Sequence, residues 1–454
     1  MQNTSNEDLP RVLTKLHAAA IVVGIIIGSG IFLVPQEMMA AVGSGSTVYA
    51  VWIVGGLLSL FGAMSYAELA AMKPRVGGEY AFLLDAYGPL TAFVYTWTWT
   101  LIAKPATIAS YSMALVRVLG TFRTFAFFAH PALLHITFGQ IFAILATLLI
   151  TVLNVISTRE SANLQATLTV LKVVMVLIIA VVCFASVTHG GVHNFSTHFE
   201  GARGGFAGFM IALTAALWAY DGWSDVTQMA GEVRNPQRAL PLALIGGVAI
   251  VGVLYMLTNA ALQYVMPAAA IATSERPAAD AMLLVLGHAG AALVSVGIAV
   301  SVCASFVGSS LSGARVPFAA AQDGLFPRTL AAVQPRFKTP ANSLALQAFL
   351  SCLLLLAVGK FQSLFSLTIF SEWAFYALTT ASVFVFRRRE PDAPRPYRVQ
   401  GYPFVPALFL LAALVLLVFS FMDQPLNSGI GAAVILCGIP AHYLYQRRTA
   451  SQAV

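Results

Sequence analysis

Charge is scarce in this chain. Only 9% of its 454 residues are Asp, Glu, Lys or Arg, and 59% are hydrophobic. A soluble domain carries about a quarter charged residues, so a soluble globular protein is excluded. Cysteine is scarce too. Cys183, Cys303, Cys352 and Cys437 all fall in apolar stretches. They read as small packing residues, and neither a disulfide framework nor a metal site is expected. No Gly-rich loop ends in Gly-Lys-Ser or Gly-Lys-Thr, which excludes an ATP-driven machine of that type. The histidines at 17, 130, 135, 189, 193, 198, 288 and 442 lie in loops or near the ends of apolar spans. Without a mid-span His beside a Ser or carboxylate, nucleophilic catalysis is disfavoured and no enzyme is expected. No cofactor is expected either. The first dozen residues are polar and mixed in charge, with no cleavable signal pattern.

What the chain has instead is length of apolar run. Twelve spans are expected, near 16–41, 47–72, 86–118, 136–156, 162–187, 205–230, 239–265, 288–321, 341–358, 362–386, 404–421 and 428–446. The fold class is all-α, a polytopic membrane protein. With both termini cytoplasmic, eighteen Lys and Arg fall on inner loops and tails, and five fall outside: Arg117, Arg123, Arg203, Arg276 and Lys360. That bias fixes the orientation, and it accounts for the net charge of +7 without a nucleic-acid partner. The outer loop 188–204 carries His189, His193 and His198. Gly190 and Gly191 argue against a helix that would align the first two on a metal, so a solvated loop is expected. Arg387, Arg388 and Arg389, ahead of a proline-rich linker, are expected to meet anionic lipid.

Two spans are interrupted. The first reads Gly24-Ile25-Ile26-Ile27-Gly28-Ser29-Gly30-Ile31-Phe32. Gly is a poor helix former, and Gly-Ser-Gly at the centre of a span invites the backbone to unwind. Unwound backbone at this depth is tolerated only where it is buried in protein or lines a cavity. Its free N–H groups then suit a carboxylate; the plainer alternative is a close helix contact through small residues. The sixth span carries Trp218-Ala219-Tyr220-Asp221-Gly222-Trp223-Ser224-Asp225, with two carboxylates and a Gly in mid-span. Interruptions five helices apart, an odd offset, are the layout of a five-plus-five inverted repeat with a midplane site. The expected divisions are a tail 1–15, repeats 16–187 and 205–386 around the outer loop, a linker 387–403, two further helices over 404–446 and a tail 447–454.

An ionisable residue at membrane depth is by default a candidate for function. Lys172 lies deep in the fifth span. It reads as a tether on carbonyls of a broken helix, or as a fixed or titrating cation where other carriers hold sodium. Lys104 in the third span and Glu372 in the tenth suggest a buried pair. Trp218, Tyr220, Trp223 and Trp373 read as packing or as an aromatic lid, the lid being favoured beside a broken helix.

These motifs together resemble the amino acid–polyamine–organocation superfamily, and within it the L-type amino acid transporter family. The first-span motif carries the likeness. So do Ala67-Glu68-Leu69 with Pro74-Arg75-Val76-Gly77-Gly78-Glu79-Tyr80, Ala219-Tyr220-Asp221-Gly222-Trp223, Gly231-Glu232-Val233-Arg234-Asn235-Pro236-Gln237-Arg238, and Gln322-Asp323-Gly324-Leu325-Phe326-Pro327. The resemblance implies one amino acid bound at the centre. Its carboxylate would meet the N–H groups of Gly28, Ser29 and Gly30. Its ammonium would meet carbonyls near Ile26 and Ile27 and near Trp218, Ala219 and Asp221. Trp218 would be the gating aromatic, and Ile102, Ala103, Thr107 and Trp373 the side-chain pocket. Lys172 would make sodium unnecessary. Asp221 departs from the Gly common in animal members, which opens the substrate range. The outer loop from Gly120 to His135 lacks the Cys that bonds animal members to a heavy chain, so no disulfide-linked partner is expected. The reading is a stand-alone, sodium-independent exchanger of neutral L-amino acids in a plasma or inner membrane. A proton-coupled symporter or uniporter of the same fold is the first rival. A membrane amino acid sensor is the second, though the short tails leave no room for a signalling domain.

Overall fold

In lipid every backbone polar group must find a partner within the protein, and helices achieve this segment by segment. The computed structural model describes residues 9–133, 135–186, 188, 190–358, 361–423 and 425–452. The expected sites His189 and Lys360 lie outside the described residues. In chain order the helices are α1 (Lys15–Ile26), α2 (Gly30–Val42), α3 (Gly45–Met72), α4 (Glu79–Tyr87), α5 (Pro89–Thr98), α6 (Lys104–Leu119), α7 (Phe138–Ile156), α8 (Thr158–Ala185) and α9 (Gly205–Ala219). They continue as α10 (Asp225–Gln228), α11 (Pro236–Val265), α12 (Ala268–Thr273), α13 (Pro277–Gly313), α14 (Arg315–Gln322), α15 (Ala341–Ala357), α16 (Phe361–Arg389), α17 (Phe404–Asp423) and α18 (Pro425–Gln452). A small antiparallel hairpin, β1 (Pro131–Leu133) with β2 (Ile136–Thr137), precedes α7.

Among the described residues these helices fall into twelve runs at the places of the expected spans. Eight are long and apolar enough to cross a membrane by length and composition, with α9 and α15 as shorter apolar helices. Several boundaries move for local reasons. The third run begins at Glu79, just after Gly78 turns the chain at φ 50, and bends at Gly88, φ 90. A π-turn over Trp99–Ala103 then joins α5 to α6. The eighth run begins at Pro277, eleven residues before the expected start, and kinks at Gly287, φ 69.

The outward faces are aliphatic. On α7, Leu145, Leu148, Leu149 and Val152 are exposed while Thr147, Thr151 and Asn154 are buried. That inside-out distribution suits a lipid solvent, where polar side chains must turn inward to find partners. Cys437 is exposed on α18 and not a core residue as expected.

The packing exchanges the halves. α3 packs on α11, α6 on α13 and α7 on α15, each run against the one five places later. The contact of α1 with α11 is matched by that of α9 with α3, and the contact of α8 with α13 by that of α16 with α6. At one end of the bundle, Arg315 and Glu232 form a fully buried pair at 2.8 Å. Beside it the Leu13 N–H donates to the Glu232 carbonyl and the Arg234 N–H to Leu13. Arg387 turns inward to Glu68 at 2.7 Å rather than outward to lipid, because Glu68 is buried and needs a cation.

Candidate functional site

The first break separates α1 from α2 over Ile27, Gly28 and Ser29. The Gly28 N–H reaches only the Ile26 carbonyl at 2.7 Å, and Phe32 and Leu33 both donate to Ser29. The freed carbonyls face neighbouring helices. Lys172, on α8 and buried, donates to the carbonyls of Gly24 at 2.8 Å, Ile27 at 2.5 Å and Ser301 at 2.9 Å. Ser301 donates to Ile27 at 2.9 Å, and the Ser305 hydroxyl lies 3.0 Å from the Gly24 carbonyl. The first amides of a helix have no intrahelical acceptor. Here Gly30, the first residue of α2, lines a cavity together with Gly28 and Ser29 just ahead of it. A side chain on Gly30 would bring its Cβ 3.0 Å from Ala219, so the two breaks touch there through backbone.

The second break follows α9. Tyr220 and Asp221 still donate backward, to Ala216 and Trp218, and then Gly222 takes φ 101, a left-handed value that favours Gly. Any Cβ there would lie 2.4 Å from Ile25. The short α10 is held by side chains. Asp225 accepts from Lys104 at 2.6 Å and from Ser312 at 2.8 Å, all three buried. Asp221 accepts from the Tyr376 hydroxyl at 2.9 Å, and Tyr376 also lies 3.2 Å from Ser224. The Tyr255 hydroxyl lies 2.9 Å from the Ile26 carbonyl and 2.7 Å from that of Ala219, and so ties the two breaks together.

Between the breaks lies a cavity. It is lined on one side by Ile25, Ile26, Gly28, Ser29, Gly30, Trp218, Ala219 and Asp221, and on the other by Thr107, Ser110 and Tyr111 of α6 and Glu372 and Trp373 of α16. The structure thus gathers Ile26, Gly28, Ser29, Gly30, Thr107, Trp218, Ala219, Asp221 and Trp373 as expected neighbours. Ile27 is adjacent, but its carbonyl is turned to Lys172. Ile102 and Ala103 are not among the lining residues. They sit in the π-turn, and the wall is formed one turn later by positions i, i+3 and i+4 of α6. Lys172 lies behind the break and not in the wall. The expected Lys104–Glu372 pair is corrected. Lys104 pairs with Asp225, which the turn at Gly222 carries to it. Tyr220 and Trp223 are packing and not lid: Tyr220 meets Trp52 edge-on and Tyr255 at a tilt, and Trp223 meets Tyr66 edge-on and Tyr376 at a tilt. Nothing in the sequence marks Ile25, Ser110, Tyr111 or Tyr255, because such residues are common in apolar helices. Glu372 was recognised, but as a partner for Lys104 and not as cavity wall.

A family model described as amino acid permease matches residues 13–439. The cystine/glutamate transporter of Homo sapiens is 33% identical over 437 residues, 96% of this chain and 85% of that protein. The serine/threonine exchanger SteT of Bacillus subtilis (strain 168) is 31% identical over 452 residues, 99% of this chain and 100% of the relative. The b(0,+)-type amino acid transporter 1 of Mus musculus is 30% identical over 441 residues, 96% and 88% of the two chains.

Proposed function

From the premise that the chain belongs to the amino acid permease family, we propose that it is a sodium-independent exchanger of neutral L-amino acids. Members of the family are transporters and not enzymes, and this chain is read the same way. The substrate carboxylate meets the amides of Gly28, Ser29 and Gly30, where a half-helix begins and its dipole is positive. The ammonium meets the region of Ile26, Ala219 and Asp221, with Trp218 over the ligand. Repeats 16–187 and 205–386 rock about this centre. Both termini face the cytoplasm of a plasma or inner membrane, and no disulfide-linked heavy chain takes part.

One observation carries the coupling. The Lys172 ammonium donates to three carbonyls around the unwound backbone, a position in which a monovalent cation would otherwise satisfy them. A fixed cation there removes the need for a bound sodium ion. Two carboxylates in the cavity wall, Asp221 and Glu372, favour the rival reading of proton coupling. Proteoliposomes separate the two. Strong stimulation of uptake by internal amino acid, unaffected by sodium or an imposed pH step, is the expected result. Concentrative uptake into empty liposomes driven by the pH step would replace the exchanger with a symporter.

A further inference from the structure

The cavity holds more carboxyl groups than a neutral amino acid can pair with. Two carboxyl side chains, Asp221 and Glu372, line it, and among the described residues no Lys or Arg does. The nearby ammonium of Lys104 is committed to Asp225 at 2.6 Å, and that pair cancels. Lys172 is spent on carbonyls behind the first break. Asp221 has the Tyr376 hydroxyl. Glu372 is 8% exposed, borders the cavity, and has no hydrogen bond or ion pair among the described residues. A buried carboxylate without a partner is strongly unfavourable, and a cation brought into hydrogen-bonding range relieves it.

The charges of a bound zwitterion can be assigned in turn. The carboxylate goes to the amide end of α2, and the α-ammonium to the carbonyl and Asp221 side of the breaks. Glu372 remains, next to Trp373 on α16, in the wall that α16 forms together with Thr107 and Ser110 of α6. Trp373 and Tyr111 line the same space, and aromatic rings attract cations. We infer that Glu372 is a specificity-determining residue that admits dibasic L-amino acids, whose side-chain amino or guanidino group pairs with its carboxylate. This rests on the placement of the substrate proposed above, and extends the substrate class of the same site from neutral to dibasic amino acids.

The test uses the purified full chain, wild type and Glu372→Gln, in proteoliposomes with radiolabelled L-arginine, L-lysine and a panel of neutral L-amino acids. Wild type is expected to exchange dibasic and neutral substrates. Glu372→Gln is expected to lower the ratio of kcat/KM for L-arginine and L-lysine to that for the best neutral substrate at least tenfold. Titration of tryptophan fluorescence in detergent, which Trp218 and Trp373 should report, reads binding even in a variant that transports poorly. It should show a larger loss of affinity for L-arginine than for the neutral substrate. Exchange of neutral substrates with dibasic ones excluded overturns the inference and leaves the proposed exchanger standing. An equal loss for both classes in Glu372→Gln also overturns it, since that marks a packing role. Absence of exchange of any amino acid overturns both.

Discussion

The two breaks solve one backbone problem with opposite chemistry. Around residues 27–29 the chain brings no charge of its own; it exposes carbonyls, and Lys172 with Ser301 and Ser305 comes from other helices to satisfy them. Around residues 220–224 the chain brings carboxylates, and Lys104, Tyr376 and Ser312 come to meet them. The first break needs no left-handed residue, while the second turns at Gly222. One break is therefore a backbone ligand held by a distant cation, and the other an acidic segment held by a distant ion pair. The same residue type, lysine, serves both, and the partner decides its role.

The largest effect is expected from the acidic break. Lys104→Met or Asp225→Leu alone leaves a buried charge unmatched, at a cost of roughly 3–5 kcal/mol. The double change Lys104→Met with Asp225→Leu should fall much closer to wild type. Thermal unfolding of the detergent-solubilised protein reads this, and a double variant as unstable as the sum of the singles would mean the pair is not the tether.

Next comes the backbone break. Lys172→Ala should cost about 1–3 kcal/mol in the same assay, less than loss of the ion pair, because Ile27 and Gly24 keep their serine donors. Transport should be lost almost completely with binding partly retained. Full exchange activity in the variant would remove Lys172 from the coupling role.

The glycines sharpen the contrast. Gly222→Ala should cost about 1–3 kcal/mol through its left-handed backbone, with further loss from overlap with Ile25. Gly28→Ala should be milder for stability, since its Cβ meets nothing nearer than the Ser305 hydroxyl at 3.4 Å and its φ is not left-handed. The reverse order of unfolding midpoints would break the distinction between the breaks. The smallest effect is expected where the breaks join: Tyr255→Phe removes one shared hydroxyl, about 1 kcal/mol, read as a small downward shift in midpoint with the fold intact.

Much of this architecture is legible along the chain. A Gly-Ser-Gly or an Asp-Gly pair in an apolar run records its own interruption, because local propensity and the absence of water leave few alternatives. The place of Lys172 opposite a broken helix is legible for the same reason: a mid-span ammonium must find oxygen. Partner choice is not. Lys104 is 121 positions from Asp225, and nothing local distinguishes that acid from Glu372. The family resemblance places Ile102 and Ala103 in the side-chain pocket together with Thr107. The π-turn, which residue pattern does not announce, moves the wall to Thr107, Ser110 and Tyr111.

By itself, then, the sequence determined that this chain crosses a membrane many times, that its first and sixth spans unwind, and that charges within the spans must be compensated. Each follows from composition and period acting over one segment. Only the tertiary structure decided which charge compensates which. The turn at Gly222 delivers Asp225 to Lys104, Tyr376 takes Asp221, and Glu372 is left at the cavity with no hydrogen-bond or ion-pair partner among the described residues. Pairing of buried groups depends on distances of a few ångströms between segments far apart in sequence, and only the packed helices set those distances.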